Sequence, residues 1–404
     1  MRKITARIDS VLIVLILTVA GVHLALALSS GSSPLADNIY NSYTLQALQW
    51  LQGQLDLGRN YTHLELAVFE GKYFVSFPPL PSLLLLPFAG ALGASTPDHI
   101  IAGFLFVLSA VYAYKLCRSY DLSRDVSFFM SLFVCLGGNI LFLSIRGGWV
   151  WFLAQNAAFL FTVMSFYYIR RNLAASLFCL ACAIGCRPFQ IIYAPILLRM
   201  IFLSQDAKEW GGLIRRVCVC AIPAALLFLF YLTLNYLRFH SPFEFGHNYL
   251  PEFQEASNGQ FSVVYIAENL RNLFRMPYLN EKGILTFYRY NGTAFWLVSP
   301  IFVTFAIASA RHGFPREHLA LAALHLLLLC AHKTMGGWHF GARYTVDALP
   351  AVLFGLVRWL SRNHGRDDCY GDQTGRNFIL WNTPLFLTGL CVNFAGTIWI
   401  YTRG

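Results

Sequence analysis

The most constraining feature of the sequence is a series of long apolar runs, separated by short polar segments that carry basic residues. Eleven such runs cover residues 11–28, 99–117, 126–144, 150–168, 173–186, 189–203, 217–237, 293–310, 318–332, 346–360 and 378–400. Most of them have the length of a helix that crosses a bilayer, and all are too long for the strands of a membrane barrel. We therefore predict an all-α, polytopic membrane protein with about 11 transmembrane helices, forming one domain over residues 1–404.

The composition supports this class and excludes others. Hydrophobic residues make up 57% of the chain and charged residues 12%. A water-soluble globular protein contains more charged residues than this. The net charge of +10 is spread over short basic clusters, which are typical of topology signals and of contacts to anionic membrane lipids. We expect no nucleic-acid partner. The ten cysteines lie in apolar runs or in predicted cytoplasmic segments, so we expect no disulfide framework.

The distribution of basic residues predicts the topology. Arg2, Lys3 and Arg7 precede the first run and indicate a cytoplasmic amino terminus, with that run acting as an uncleaved signal anchor. A further apolar stretch, 79–93, is short and broken by prolines, and counting it as a crossing would put the later basic clusters outside. We predict that it is an interfacial helix within a first extracytoplasmic loop, 29–98. A second large extracytoplasmic loop covers 238–292, and a short one covers 333–345.

Several short motifs lie in these loops. Residues 34–40 read Pro-Leu-Ala-Asp-Asn-Ile-Tyr, and an amphipathic stretch follows at 40–57 that is typical of an interfacial helix. An aspartate in front of a helix is also a common N-cap, which is the structural alternative for Asp37. The other motifs are Gly-Lys-Tyr-Phe-Val-Ser-Phe-Pro-Pro-Leu-Pro at 71–81, Arg-Pro at 187–188, Ser-Pro-Phe-Glu-Phe-Gly-His at 241–247 and Gly-Trp-His-Phe-Gly-Ala-Arg-Tyr at 337–344.

With these motifs the chain resembles the GT-C superfamily, integral-membrane glycosyltransferases that use polyprenyl-phosphate-linked sugars. It is most similar to bacterial relatives of the dolichyl-phosphate-mannose protein mannosyltransferases. The resemblance implies a GT-C-like fold, a polyprenyl-phosphate sugar donor, an acceptor that the sequence does not define, and a bacterial inner or plasma membrane. It gives Asp37 the position of the catalytic acidic residue, and it gives Lys72 and the Pro-Pro-Leu element the donor phosphate side. Arg343 falls where such proteins carry a basic residue near the membrane mouth.

The residue types fit an inverting glycosyl transfer. A carboxylate must take the proton of the attacking hydroxyl, and fixed positive charge must stabilise the departing lipid phosphate. We predict Asp37 as the general base and Lys72, Arg146 and Arg343 as donor phosphate contacts, with Arg343 preferred because its planar fork suits phosphate. Residues predicted to bind the acceptor or the sugar are Tyr40, His63, Glu65, Glu244, His247, Trp338 and His339. We expect no cofactor and no metal, because the outer loops show no close pair of carboxylates beyond Asp37.

Two other classes stay open at this point. A transporter or lipid flippase should carry ionisable residues inside its spans, and only Arg187, His325 and His332 come near to this. A non-catalytic relative that binds polyprenyl phosphate would have the same architecture as the enzyme.

Overall fold

The helices of the structure follow the apolar pattern of the sequence. The structure is a computed structural model and describes residues 9–203, 210–364 and 373–403. Its α-helices, in chain order, are α1 (Ser10–Ser29), α2 (Ser42–Leu51), α3 (Leu80–Leu92), α4 (Asp98–Arg118), α5 (Arg124–Cys135), α6 (Ile140–Ile145), α7 (Val150–Tyr168), α8 (Leu173–Cys186), α9 (Ala194–Leu203), α10 (Trp210–Phe239), α11 (Pro251–Gln254), α12 (Ile266–Phe274), α13 (Phe295–Val298), α14 (Ile301–Ser309), α15 (Arg316–Cys330), α16 (Leu349–His364) and α17 (Gln373–Arg403). Short 3₁₀ helices lie at Gly93–Ser95, Pro188–Tyr193, His247–Tyr249, Val263–Tyr265 and Arg343–Ala348.

Strands are confined to the loops in the part of the chain that the structure describes. β1 (Leu66–Phe69) and β2 (Lys72–Val75) form an antiparallel hairpin in which Phe69 lies opposite Lys72. Glu70 and Gly71 form its turn, both at positive φ. A smaller hairpin pairs β3 (Tyr278–Leu279) with β4 (Leu285–Thr286). The all-α prediction is therefore confirmed for the body of the protein, and the two hairpins were not predicted.

Five described helices are long and apolar enough to cross a membrane: Ser10–Ser29, Asp98–Arg118, Val150–Tyr168, Gly211–Phe239 and Gln373–Arg403. Shorter apolar helices lie at Leu80–Ser95, Leu173–Cys186 and Pro188–Leu203. Each of the eleven predicted runs contains helix, but several of the helices are shorter than a span or interrupted. The protein is thus a helical membrane protein, and the number of crossings stays a prediction.

The interruptions have local causes. The predicted run 126–144 is divided between α5 and α6 at residues 136–139. Side chains at Gly137 and Gly138 would collide with backbone carbonyl oxygens of α5, so this turn requires glycine. The run 293–310 is divided between α13 and α14 at Ser299 and Pro300, and proline has no N–H with which to continue a helix.

A large aromatic and aliphatic core joins the helices around α7. Phe166 on α7 stacks against Phe354 on α16, with ring centroids 4.4 Å apart, and both are buried. Polar contacts fix the ends of α1 and α4, because Asp9 caps the first turn of α1 and accepts a hydrogen bond from Tyr114 on α4 at 2.7 Å. The fold therefore provides a rigid base for the loops.

Both first-loop segments that we predicted as interfacial helices contain a helix in the structure, and their position at the membrane surface stays a prediction. The amphipathic stretch 40–57 is helical only over α2, which ends six residues early at a turn where Gly53 has a φ of +75°. The stretch 79–93 forms α3, and Ser82 on α3 donates a hydrogen bond to Gln46 on α2 at 2.7 Å. The segments 30–97, 240–294 and 331–348 lie together, with contacts from His247 to Ser76 and from Ser262 to Ala331, and we call the surface that they form the loop face.

Candidate active site

A two-lobed cavity opens at the loop face. The apolar lobe has a volume of about 470 Å³ and the polar lobe about 600 Å³. Both lobes are lined by Phe77, Trp151, His247, His332, Arg343 and Tyr344, which we call the junction. The apolar lobe is further lined by Pro78, Ala154, Cys186, Arg187, Pro188, Phe189, Phe243, Glu244, Phe245, Asn248, Gln260, Phe261 and Leu329. The polar lobe is further lined by Ile39, Tyr40, Glu65, Arg146, Trp149, Glu252, Thr334, Gly336, Gly337, Trp338, Ile400 and Tyr401.

The glycines of the segment 336–344 let Arg343 lie in the wall between the lobes. Gly336, Gly337 and Gly341 all have positive φ, at 109°, 67° and 81°. A Cβ atom at Gly336 would collide with the guanidinium of Arg343, and one at Gly341 would collide with the Asn139 amide. The loop therefore packs directly against the arginine, which only glycine permits.

Arg343 is a buried cation without a carboxylate partner. The residue is 5% exposed, and its Nε atom is buried without a hydrogen-bond partner. Among the described residues no aspartate or glutamate oxygen lies within ion-pair distance of its guanidinium. The ring of Tyr344 lies 5.0 Å from the guanidinium carbon. A buried charge is costly unless it is paired, so this position favours an anion in the cavity.

Asn139 holds the loop that carries Arg343. Its Oδ1 accepts a hydrogen bond from the backbone N–H of Ala342 at 3.0 Å, and its Nδ2 donates to Asn393 on α17 at 3.1 Å. The backbone N–H of Asn139 donates to the Ser299 hydroxyl at 2.9 Å. Asn139 thereby links the loop that carries Arg343 to α17 and to the turn between α13 and α14.

Aromatic rings line much of the polar lobe. The ring of Tyr40 lies 4.9 Å from the rings of both Trp149 and Trp151, and Trp338 lies 5.8 Å from Trp149. The Arg146 guanidinium lies 5.3 Å from the centroid of Trp149, and its Nε donates to Ser32 at 3.0 Å. Amphipathic aromatic faces of this kind suit a ligand with both apolar and hydroxyl-bearing surfaces, such as a sugar ring.

Two carboxylates also face the polar lobe. Glu65 accepts a hydrogen bond from the indole N–H of Trp151 at 2.9 Å. Burial raises the pKa of Glu65, and this outweighs the opposing effects of the Trp151 hydrogen bond and of the positive charge on Arg343. Burial also raises the pKa of Glu252, with a further contribution from the negative charge of Glu65 and an opposing one from Lys333. Both residues are exposed to solvent.

Asp37 is exposed and does not line either lobe. The lining of the polar lobe in this segment begins two residues later, at Ile39. The neighbouring Asn38 is fixed, because its amide donates to Asp98 at 2.7 Å and to the Gly148 carbonyl at 2.8 Å. The backbone at Asp37 is therefore attached to the start of α4 and to the turn before α7.

The junction histidine His247 presents one ring nitrogen to the cavity. Its Nδ1 lies 3.1 Å from the carbonyl oxygen of Ser76, which can only accept, so Nδ1 carries the proton. Burial lowers the pKa of His247 to about 4, with the Ser76 hydrogen bond opposing this shift. The neutral ring therefore leaves the Nε2 lone pair available to a hydroxyl donor.

The remaining predicted residues take other positions. Lys72 and His63 are exposed on the first loop and do not line either lobe. Glu244 lines the apolar lobe, but its carboxylate accepts hydrogen bonds from Gly246 and Asn248 in its own loop. His339 is fully buried below the lobe, with its Nδ1 3.0 Å from the Gly337 carbonyl. The structure thus brings together Tyr40, Glu65, Arg146, His247, Trp338 and Arg343 around one cavity.

Several cavity residues were not among the predicted site residues. Glu252, His332, Trp149 and Trp151 line the polar lobe, and Arg187 lines the apolar lobe beside its partner Asp347. Trp149 and Trp151 lie at the start of α7, directly after Gly147 and Gly148, and this pair of aromatic residues after a pair of glycines was visible in the sequence. Residues 9–203, 210–364 and 373–403 contain no group of three or more His, Cys, Asp or Glu side chains arranged to hold a metal ion.

Comparison with solved structures identifies the fold. ArnT from Cupriavidus metallidurans bound to undecaprenyl phosphate superposes with a TM-score of 0.55 and 12% identity, over 98% of this chain and 77% of that chain. The archaeal oligosaccharyltransferase AglB from Archaeoglobus fulgidus, in complex with an inhibitory peptide and a dolichol-phosphate, gives a TM-score of 0.56 and 13% identity. That match covers 96% of this chain and 56% of AglB, so the chain spans little more than half of AglB's length.

The similarity is one of structure. No protein-family model and no curated protein matches the sequence. ArnT and AglB are GT-C superfamily membrane glycosyltransferases. The superpositions show a shared fold, and at identities of 12% and 13% they show the fold alone. The fold expected from the loop motifs is confirmed: this chain is an integral membrane protein with the GT-C fold.

Proposed function

We propose that the protein transfers a sugar from a polyprenyl-phosphate donor to an acceptor hydroxyl at the extracytoplasmic face. The observation that carries this proposal is Arg343, a buried guanidinium without a carboxylate partner at the junction of an apolar lobe and an aromatic polar lobe. A polyprenyl-phosphate sugar has its parts in the same order as the cavity, because its phosphate lies between an apolar prenyl chain and a polar sugar ring.

The two lobes fit the two ends of such a donor. Phe189, Phe243 and Phe261 line the apolar lobe and suit the first isoprene units of the lipid. Tyr40, Trp149 and Trp338 line the polar lobe and suit stacking on a sugar ring. The solved structures of ArnT and AglB contain undecaprenyl phosphate and dolichol-phosphate respectively, which supports a polyprenyl phosphate ligand for this fold.

The proposed reaction is a single inverting displacement. The acceptor oxygen forms a bond to the anomeric carbon while the bond from that carbon to the phosphate oxygen breaks. The acceptor proton passes to the carboxylate of Asp37, and the polyprenyl phosphate leaves with the bonding electron pair. Arg343 stabilises the charge that develops on the leaving phosphate, and Arg146 adds a second positive charge to the polar lobe. Lys72 lies outside the lobes, so we assign it only a long-range attraction for the anionic donor.

The orientation of this site follows from the basic clusters of the sequence. A cytoplasmic amino terminus puts the end of α1, and hence the loop face, on the extracytoplasmic side of a bacterial inner membrane. Sugars that cross a membrane on a polyprenyl carrier are available on that side. The acceptor is then a hydroxyl of a cell-envelope glycan, lipid or protein.

The test is donor consumption by the purified protein in nanodiscs. Undecaprenyl phosphate carrying radiolabelled glucose, mannose, galactose or arabinose is supplied, and release of undecaprenyl phosphate is measured. We expect the wild-type protein to consume at least one donor and Arg343→Gln to be slower by about a hundredfold or more. Arg289→Gln is the matched control, because Arg289 is exposed at the loop face and bonds to the Arg403 carbonyl, and it should stay within about twofold of wild type.

Two results would overturn the proposal. One is a wild-type protein that consumes no donor but moves undecaprenyl phosphate between the leaflets of liposomes, which would indicate a flippase. The other is normal donor consumption by Arg343→Gln, which would remove the junction from the chemistry.

A further inference from the structure

A groove lies beside the polar lobe at the loop face. It has a volume of about 470 Å³ and lies between the first-loop segment 60–68 and the segment 250–252. Asn60, Thr62 and Leu66 line one side, and Leu250 lines the other. Glu65 and Glu252 line both the groove and the polar lobe, so they stand where the two spaces meet.

The two carboxylates make this passage acidic. In the part of the chain that the structure describes, neither Glu65 nor Glu252 forms an ion pair. The Trp151 indole is the hydrogen-bond donor to Glu65, and the ammonium of Lys333 bonds to the backbone carbonyl of Glu252 rather than to its carboxylate. At least one face of each carboxylate therefore remains open to a ligand.

Charge is arranged unevenly around the polar lobe. Arg343 occupies the side next to the apolar lobe. The residue is only 5% exposed, and its Nε atom has no hydrogen-bond partner. Glu65 and Glu252 occupy the side next to the groove. A lipid phosphate is favoured at the first side and disfavoured at the second, so donor and acceptor cannot easily exchange places.

We propose that the groove admits the acceptor, and that Glu65 and Glu252 select a polyhydroxyl acceptor without an anionic group near its reacting hydroxyl. This inference rests on the proposed function. Carboxylate oxygens accept hydrogen bonds from hydroxyl groups, which fixes a sugar or polyol, while an acceptor phosphate or carboxylate at the same place is repelled. The proton of the reacting hydroxyl still goes to Asp37, and the two glutamates position the acceptor without taking part in bond making.

The first experiment measures the charge of the groove directly. Thr62→Cys is introduced in a background without other cysteines, and the thiol is modified by methanethiosulfonates that are alike except for a trimethylammonium or a sulfonate group. The ratio of the cationic to the anionic rate is compared with that for Ser95→Cys, an exposed position of the first loop that does not line the groove. The ratio cancels any change in thiol reactivity.

We expect the ratio at position 62 to exceed that at position 95 by about tenfold, and to fall to within about twofold of it when Glu65→Gln and Glu252→Gln are combined. Glu255→Gln, an exposed glutamate three residues beyond Glu252, is the control and should leave the ratio high. Equal ratios at positions 62 and 95, or a ratio that survives the double substitution, would overturn the acidic groove.

The second experiment measures selectivity in transfer, using the donor that the wild-type protein consumes. Glycerol and glycerol 3-phosphate serve as acceptor probes, because they share hydroxyl groups and differ in charge. We expect transfer to glycerol to exceed transfer to glycerol 3-phosphate by about tenfold in the wild type, and the preference to fall to about twofold in the double variant. Undecaprenyl phosphate binding should be retained by that variant.

The outcomes separate the two proposals. The wild type could use the two probes equally while it consumes the donor, with the expected loss of donor consumption in Arg343→Gln. This result would overturn the proposal of an acceptor groove and leave the proposed function intact. Loss of undecaprenyl phosphate binding in the double variant would also overturn it, since the glutamates would then serve the donor. A wild-type protein that consumes no donor overturns both.

Discussion

Arg187 donates two hydrogen bonds to a single carboxylate oxygen of Asp347, at 2.7 and 3.0 Å, and lines the apolar lobe. The Asp347 side chain is 1% exposed and the Arg187 side chain 22%. Arg343 lines the same cavity but has no such partner among the described residues. The two arginines therefore differ, because Arg187 is paired within the fold and Arg343 is available for a ligand.

This contrast predicts opposite effects on stability. Arg187→Gln leaves Asp347 as a buried, unpaired charge and should reduce the free energy of unfolding by about 3–5 kcal/mol. Arg343→Gln removes an unpaired charge and should leave the midpoint of thermal unfolding unchanged or raise it. Thermal unfolding in detergent without added lipid measures both. A loss in Arg343→Gln as large as that in Arg187→Gln would show that Arg343 supports the fold.

Asp37→Asn tests the general base. α2 begins at Ser42 and Asn41 occupies its N-cap position, so the structure gives Asp37 no capping role. Asparagine retains the size of aspartate but cannot accept the proton, so turnover should fall by about a hundredfold to ten-thousandfold. Binding of undecaprenyl phosphate and the yield of folded protein should change little. Near-normal turnover in Asp37→Asn would move the base to another carboxylate, with Glu65 the first to test.

Glu65 should trade stability against activity. Because its pKa is raised, the folded protein holds its proton more tightly than the unfolded chain, and ionisation with rising pH costs stability. Glu65→Gln keeps an acceptor for Trp151 and removes that cost, so the unfolding midpoint at pH 7 should not fall, while transfer to glycerol should decrease.

The same shift predicts the pH dependence of transfer. The carboxylate form binds the acceptor, so transfer should decline on the acid side with an apparent pKa above the ordinary 4.5 of glutamate. That decline should become shallower in Glu65→Gln, as measured by initial rates between pH 4 and 8. An unchanged acid limb in the variant would show that another group titrates there.

Asn139 is predicted to position the phosphate site without touching it. Asn139→Ala leaves the Ala342 N–H without its partner and should cost about 1–3 kcal/mol of stability. It should also weaken undecaprenyl phosphate binding, because the loop before Arg343 is released. Asn393→Ala is the matched control, since it removes a bond to Asn139 and others within the core but none to the loop. Equal weakening of lipid binding by both variants would indicate a general structural effect.

The sequence predicted the helices, because the length of an apolar run is a local property of the chain. It also predicted Arg343 and Trp338, which lie in one short glycine-rich segment, as residues of the site. His339 in the same segment was also predicted as a site residue, but it is fully buried in the protein interior. The local sequence pattern does not distinguish side chains that face the cavity from side chains that face the interior. The pairing of Arg187 with Asp347 joins residues 160 positions apart and depends on how α8 meets the Arg343–Ala348 turn.

Residues of the first loop were harder to place. Lys72 was assigned to the phosphate by its motif, but the β1–β2 hairpin, which the sequence did not predict, carries it to the outside. Glu65 stands on the same loop and faces the cavity. Glu252 lies within the second large loop, and it lines the same cavity as Glu65 because two segments that are distant in sequence pack together.

The most direct test of the account is a structure of the protein in nanodiscs with undecaprenyl phosphate. We predict that the phosphate lies within hydrogen-bond distance of the Arg343 guanidinium, with the first isoprene units in the apolar lobe between Phe189 and Phe261. The polar lobe should then remain free for the sugar. A phosphate held at Lys72 outside the cavity, or a prenyl chain that enters the lobe of Tyr40 and Trp149, would contradict the account.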